Sequence, residues 1–143
     1  MKHKTLSIGE ITHGDDVEAV IADLTWELEH LSKRRAAKAE NAAANKIGKN
    51  TTMEEYMRYQ IEELAAALEE YLPPYTYLDV REERGQTFYT VAPDMGALDE
   101  IPHVEVGERP SEPGDYLAVS DHGNITLMVK GRNGHVREVW GCV

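Results

Sequence analysis

The sequence predicts an α+β fold in which a long N-terminal helical hairpin precedes an antiparallel β-hairpin and a three-stranded meander. Apolar residues recur every three or four positions up to about residue 72 and alternate every two positions from Tyr75 onwards. Between these halves, Pro73 and Pro74 end the helical pattern, because proline cannot continue a helix. With 143 residues, we expect a single domain over 1–143, with the helical hairpin at 15–72 and the β part at 75–143.

The first helix is predicted at 15–48. Asp15 and Asp16 are suitable N-terminal caps, and Gly48 is a suitable stop. The apolar stripe is Val17, Ile21, Leu24, Leu28 and Leu31, followed by a half lined with Ala36, Ala39, Ala43 and Ile47. A continuous helix of this length spans about 50 Å and would extend beyond its neighbours. We therefore expect a homo-oligomer that forms through the long helices.

The second helix is predicted at 52–72. Thr52 and Glu55 have the spacing of a capping box. The buried stripe is predicted to be Met53, Met57, Ile61, Leu64 and Leu68. The connection at 49–51 is short, which favours an antiparallel hairpin with the first helix.

The β part begins with strands at 75–80 and 86–91, joined by a turn at Glu83-Arg84-Gly85. Residues 93–114 are rich in proline and glycine and are predicted to form a loop with a short extended piece at His103–Val106. Loops of this length are often functional or mobile. The meander is predicted at 116–120, 124–130 and 135–143, and Asn133-Gly134 favours a type I′ turn.

Charge is unevenly distributed along this acidic chain, whose formal net charge is −11. Residues 30–50 contain six Lys or Arg and one Asp or Glu, whereas residues 51–115 contain four Lys or Arg and sixteen Asp or Glu. This pattern predicts either a basic patch on an acidic body or two helix faces that carry opposite charges. The overall acidity argues against duplex DNA as a partner, because DNA binding depends on neutralising phosphates.

The cellular compartment follows from the single cysteine and the hydropathy. Cys142 is the single cysteine of the sequence, so an intrachain disulfide cannot form, which is typical of a reducing compartment. The first ten residues lack the apolar run of a signal peptide, and no apolar stretch has the length of a membrane span. We expect a cytoplasmic protein without a membrane partner.

No motif in the sequence predicts catalysis. Glu27 and His30 have a spacing found in di-iron helical bundles, but the second pair that such a site needs is missing. Asp121 and His122 lie beside Ser120, yet Asp, Gly and Asn are also the residues that form turns. We therefore expect no enzyme activity, no metal and no cofactor.

Aromatic residues and arginines are concentrated in the β half. An aromatic ring can stack on a base while a guanidinium binds phosphate through paired hydrogen bonds. Aromatic residues in strands also serve core and cross-strand packing, which is the alternative interpretation. The aromatic residues are Tyr75, Tyr77, Phe88, Tyr89, Tyr116 and Trp140, and the arginines are Arg81, Arg84, Arg109, Arg132 and Arg137.

The C-terminal segments DYLAVSDHGN at 115–124 and EVW at 138–140 are similar to the tails of small phage and prophage proteins of anaerobic bacteria. The architecture also resembles phage anti-Thoeris sponge proteins, which are oligomers that sequester a cyclic ADP-ribose signal. This resemblance implies a stacking aromatic residue and several phosphate-binding arginines. The matching candidates are Phe88 and Tyr89 for stacking, and Arg34, Arg109 and Arg132 for phosphate.

The leading hypothesis is therefore a phage-encoded anti-defence protein of the host bacterial cytoplasm. It would bind and sequester a signalling nucleotide, of the cyclic ADP-ribose type or a cyclic oligonucleotide, without chemistry. One alternative is an acidic inhibitor that mimics nucleic acid and binds a host nuclease, as some anti-CRISPR proteins do. The other is a structural or assembly protein built on the helical hairpin.

Overall fold

The computed structural model describes residues 4–142, apart from the side chains of Thr12 and His13. The fold is α+β, and the chain divides into two compact units. Unit 1 comprises the residues up to Leu72 together with Tyr77–Ala92, and unit 2 comprises Pro73–Thr76 together with Pro93–Val143. Unit 1 contains the helices α1 (Val17–Leu31), α2 (Lys33–Asn45) and α3 (Met53–Glu69), and the strands β1 (Gly9–Gly14), β2 (Thr76–Glu83) and β3 (Gln86–Pro93).

The predicted continuous helix at 15–48 is wrong, because the helix breaks at Ser32. This residue has extended backbone angles, φ −163° and ψ 109°. Its N–H donates to the Leu28 carbonyl at 2.8 Å and closes α1. Its hydroxyl accepts from the Arg35 N–H at 3.0 Å and starts α2. Serine satisfies a free N–H at a helix start, so one residue ends one helix and caps the next.

Both α1 and α2 pack on α3, and the core of unit 1 lies among them. Leu24, Leu28 and Leu68 are completely buried, as the apolar stripes predict. The alanines of the predicted second half are also buried: Ala39 and Ala43 are fully covered, which lets α2 approach α3 closely. Ile47 departs from this pattern, since it lies beyond α2 and is 50% exposed. The predicted burial of Met53 is wrong, since 67% of this residue is exposed at the start of α3.

The capping box that the sequence predicts is present at the start of α3. The Thr52 hydroxyl accepts from the Glu55 N–H at 3.1 Å, and the Glu55 carboxylate accepts from the Thr52 N–H at 3.2 Å. These two hydrogen bonds satisfy N–H groups that have no partner within the helix.

The three strands of unit 1 form a sheet in the order β1-β3-β2. The predicted hairpin of β2 and β3 is confirmed, and its turn residues Arg84 and Gly85 have φ angles of 50° and 78°. Two successive positive φ angles are the signature of a type I′ turn, whose twist matches that of the strands. The sequence pattern did not indicate β1, which pairs antiparallel with β3 from Gly9↔Val91 to Gly14↔Thr87.

Unit 2 contains a four-stranded sheet in the order β4-β5-β6-β7. The predicted meander is confirmed by β5, β6 and β7, which pair antiparallel. Val143, the predicted last residue of the final strand, lies outside the described residues. The elements of unit 2 are α4 (Met95–Leu98), β4 (His103–Glu105), β5 (Gly114–Val119), β6 (Ile125–Lys130) and β7 (Val136–Cys142).

The predicted loop at 93–114 is wrong at 95–98, which form α4, whereas the extended piece expected at His103–Val106 is present as β4. Asp94 caps α4 by accepting from the Ala97 N–H at 3.2 Å, and Leu98 is fully buried. β4 adds to the sheet parallel to β5, with His103 opposite Leu117. The remaining loop is the segment from Val106 to Pro113, between β4 and β5.

The turn between β6 and β7 also differs from its prediction. In a type I′ turn Asn133 and Gly134 would both have positive φ, yet only Gly134 does, at 85°. The Gly134 N–H donates to the Gly131 carbonyl at 3.0 Å, and the Gly131 N–H donates to the His135 carbonyl at 2.8 Å. This geometry is that of a three-residue loop with glycine in the left-handed position.

Candidate functional site

Phe88 and Tyr89 are neighbours in β3, so their side chains lie on opposite faces of the sheet. Tyr89 packs in the core of unit 1 and is 6% exposed. Burial also raises the pKa of its hydroxyl, since the charged form would lose its hydration. Because its ring is covered by the core, we leave Tyr89 out of the candidate ligand site.

Phe88 is half-buried on the other face of this sheet, beside an arginine that was not among the candidates. The Arg81 guanidinium carbon lies 6.0 Å from the centre of the Phe88 ring. Arg81 is held between Asp79 at 3.6 Å and Glu83 at 3.7 Å, both on its own strand. Carboxylates so close reduce the attraction of this arginine for phosphate, so the Phe88 surface is a weak nucleotide site.

Some cations of the basic segment at 30–50 pair with carboxylates, whereas Arg34 is exposed. Arg35 pairs with Glu70 at 2.7 Å, and Lys46 pairs with Glu63 at 2.7 Å, so α3 neutralises both cations. Arg34 is exposed on α2 in unit 1, and among the described residues its side chain makes no hydrogen bond or ion pair. Arg109 and Arg132 belong to unit 2.

The Arg35–Glu70 pair gives a testable pH dependence. Hydrogen bonds from Arg35 hold the pKa of the Glu70 carboxyl below its ordinary value. The resulting stabilisation is therefore complete above the ordinary pKa and is lost as the pH falls through the lowered one. We expect Glu70→Gln to lower the free energy of unfolding at pH 7 by less than about 1 kcal/mol, because the pair is partly exposed.

Urea unfolding at pH 7 and pH 3 measures this effect. The difference between Glu70→Gln and the unchanged protein should be smaller at the lower pH, because acid favours the neutral carboxyl, which cannot pair with Arg35. The matched control is Glu69→Gln on the same helix, because Glu69 is exposed and makes no ion pair among the described residues. Equal losses for both variants would show that the Arg35 contact contributes nothing specific.

The clearest candidate site lies in unit 2, between one face of the sheet and the segment that follows β4. We call the cavity of about 250 Å³ at this place the strap groove, and residues 108–113 the strap. The strap groove is bounded on one side by Val106, Gly107, Glu108 and Arg109. Its floor comes from alternate residues of β5 and β6 and the first residue of β7, namely Tyr116, Ala118, Thr126, Met128 and Val136.

A second cavity of about 330 Å³ adjoins the strap groove, because Arg109 and Val136 line both. Its remaining wall is Asn133, Gly134 and His135, in the turn that also carries Arg132. Of the five candidate residues, Arg109 lines both cavities and Arg132 lines neither. Arg109 lies on the groove wall, and Arg132 lies in the exposed turn at its end.

The cations of this unit gather at the same end of the sheet. Residues 93–142 contain four Lys or Arg, at 109, 130, 132 and 137. Gly114 pairs with Lys130, and Lys130 pairs with Val136. This end of the sheet therefore carries both the β6–β7 turn and the point where the strap leads into β5. Of these four cations Arg109 lines the groove, and an apolar groove with a guanidinium on its wall suits a ligand that has an apolar ring and an anionic group.

The residues that were considered as possible metal or catalytic groups have structural roles. The His30 ring lies 3.9 Å from the Trp26 ring, and its Nδ1 is 2.8 Å from the Trp26 carbonyl oxygen. Within residues 4–142, no group of three His, Cys, Asp or Glu side chains is arranged to hold a metal ion. The Ser120 hydroxyl accepts from the Asn124 N–H at 3.1 Å, which places it in the β5–β6 turn.

Sequence reasoning missed several residues of the strap groove. Met128, Thr126 and Ala118 share a sheet face through the pairs Tyr116↔Met128 and Ala118↔Thr126. Their alternation was a detectable signal, but it does not reveal which face lies under the strap. Lys130 was missed because its role depends on the path of a segment distant in sequence.

Comparison with known proteins gives no information about the site. No family model, no curated protein and no solved structure matches the chain. In the described part, 4–142, no helix combines the length and the apolar character that crossing a membrane requires.

Proposed function

We propose that this protein binds and sequesters a signalling nucleotide in the strap groove, without chemistry. The observation that carries the proposal is the position of Arg109, which lines both the apolar groove and the adjoining cavity beside the Arg132 turn. A guanidinium binds phosphate oxygens through paired, charge-assisted hydrogen bonds. The floor offers Met128 and Val136 to the base, and methionine sulfur packs well against aromatic rings.

The size of the site favours a nucleotide over a smaller anion. Ligand pockets typically enclose about 300 to 1,000 Å³. The strap groove of about 250 Å³ is below that range, but the adjoining cavity of about 330 Å³ extends it past Arg109. A base in the groove and a phosphate at Arg109 would occupy both, and cyclic ADP-ribose and cyclic oligonucleotides contain these groups.

The biological setting that we propose rests on the resemblance of the C-terminal segments to small phage proteins. An anti-defence protein of the host cytoplasm would remove a signal by binding it, so no catalytic group is required. Assembly into a homo-oligomer through the helices remains part of the proposal, although α1 ends at Leu31 and does not extend through residue 48. Light scattering on the purified protein would measure the number of subunits.

A thermal-shift screen against cyclic nucleotides and ADP-ribose derivatives tests the proposal. A ligand that binds only the native state raises the free energy of unfolding by about 2.7 kcal/mol at a hundredfold excess over Kd. For a chain of this size the expected rise in Tm is several degrees. A flat screen across both classes would contradict nucleotide sequestration.

Exposed carboxylates on α3 favour a second candidate, an acidic inhibitor of a host nuclease. Glu54, Glu62 and Glu69 are exposed at spacings of eight and seven residues, which places them near one side of the helix. Glu63 and Glu70 are instead neutralised by α2. The inhibitor should bind a basic nuclease with an affinity that falls steeply with salt, and salt-insensitive binding would contradict it.

A further inference from the structure

The strap has the features of a movable cover over the groove. Gly107 and Gly114 flank it with φ angles of 95° and 135°, a region that residues with side chains rarely adopt. Neither glycine has a neighbour within 4 Å of an added Cβ, so backbone conformation alone requires glycine there. Glycines at both ends of a segment allow it to move with little steric cost.

The strap has few backbone connections to the rest of the unit. The Glu108 N–H donates to the Glu105 carbonyl at 3.0 Å, which forms a turn at its beginning. As far as the described residues show, the N–H groups of Arg109, Ser111 and Glu112 donate no hydrogen bond. Pro110 and Pro113 have no N–H to donate. Backbone pairing therefore contributes little to holding the strap on the sheet.

The Lys130 side chain connects the strap to the sheet. The Lys130 ammonium donates to the Pro110 carbonyl at 2.8 Å and to the Ser111 carbonyl at 3.3 Å. Lys130 lies two residues after Met128 on β6, so it shares the face that forms the groove floor. Hydrogen bonds from a charged donor are stronger than those between neutral groups. Lys130 therefore ties the strap to the sheet directly after Arg109.

We propose that the strap controls access to the groove and that Lys130 is the positioning residue that keeps it closed. When the ammonium releases the two carbonyls, the segment between the two glycines can lift and uncover the floor. Closure returns Arg109 to the groove wall. As far as it concerns a nucleotide, the inference rests on the proposed function: Lys130 would set how slowly a bound nucleotide leaves.

Methionine oxidation tests access to the groove without any ligand. Hydrogen peroxide transfers an oxygen atom to the Met128 sulfur, which becomes a sulfoxide while the peroxide is reduced to water. Met53 and Met95, which are 67% and 48% exposed and lie outside the groove, serve as internal references in the same sample. Mass spectrometry of digested protein gives the rate for each methionine separately.

Lys130→Leu keeps the apolar stem and removes the ammonium, so it should raise the oxidation rate of Met128 relative to Met53 by about three- to tenfold. Lys130→Arg retains a charged donor and should restore a rate near that of the unchanged protein. Arg137→Leu is the control, because it removes a cation from the opposite face of the same end of the sheet.

An unchanged relative rate for Met128 in Lys130→Leu would overturn the inference, and so would an equal rise in Arg137→Leu. Both outcomes are independent of nucleotide binding. If the ligand screen is flat while Met128 becomes accessible in Lys130→Leu, the proposed function fails and the strap mechanism stands. If a nucleotide binds and Met128 does not respond, the proposed function stands and the strap mechanism fails.

Discussion

Replacing Arg109 with alanine is expected to weaken nucleotide binding by about a hundredfold, equivalent to about 2.7 kcal/mol of binding free energy. The expectation follows from the position of this side chain on the wall shared by the two cavities. Arg109 is exposed without a ligand, but a phosphate bound at the shared wall would bury the contact, and truncating one partner of such a charge-assisted contact typically costs about 2 to 5 kcal/mol, mainly through faster dissociation. Arg132→Ala should cost less, about tenfold, because this arginine is also exposed and lines neither cavity.

Calorimetric titration of the nucleotide identified by the screen measures the effect, and stopped-flow dissociation shows whether it lies in koff. The matched control is Arg137→Ala, which makes the same change in net charge at the same end of the sheet. Since Val136 lines the groove, Arg137 on the next position faces away from it. If Arg109→Ala and Arg137→Ala weaken binding equally, the effect is one of general charge. If neither does, the strap groove is not the nucleotide site.

The largest expected effect on stability is that of Leu68→Ala. Leu68 is fully buried in unit 1, where α3 packs against α1 and α2. Removing three carbon atoms forfeits their burial and leaves a cavity that the surrounding helices fill only in part. We expect a loss of about 3 to 5 kcal/mol in the free energy of unfolding, and a fall in Tm on the order of 10 °C.

Urea unfolding followed by circular dichroism measures the loss. The control is Met53→Ala, a larger-to-smaller change on the same helix at a residue that is 67% exposed. That variant should stay within about 0.5 kcal/mol of the unchanged protein. A loss below about 1 kcal/mol for Leu68→Ala would contradict the packing of α3 described above.

Local patterns predicted the elements that carry their own signals. The Thr52 capping box, the Arg84-Gly85 turn and the three strands of the meander follow from residues next to one another in the chain. The break at Ser32 was missed because helical spacing continues on both sides of it and a single serine weighs little in such a pattern. β1 was missed because its pairing with β3 depends on residues more than seventy positions away.

The candidate site was predicted only in part, for a related reason. The presence of arginines in the β half was evident, but which of them meet depends on the path of residues 106–113 over the sheet. Tyr89 and Phe88 could not be separated either, because alternation shows that they face opposite sides without showing which side is covered.

The pairing of β1 with β3 has a consequence for synthesis on the ribosome. Gly9 is made before its partner Val91, which follows 82 positions later. At about 5 to 20 residues per second, β1 waits about 4 to 16 s for the strand that covers its edge. During this interval the emerging helices can already pack together, while Ile8 and Ile11 lack the strand that completes their side of the core. The nascent chain therefore exposes the unpaired edge of β1 until β3 has been made.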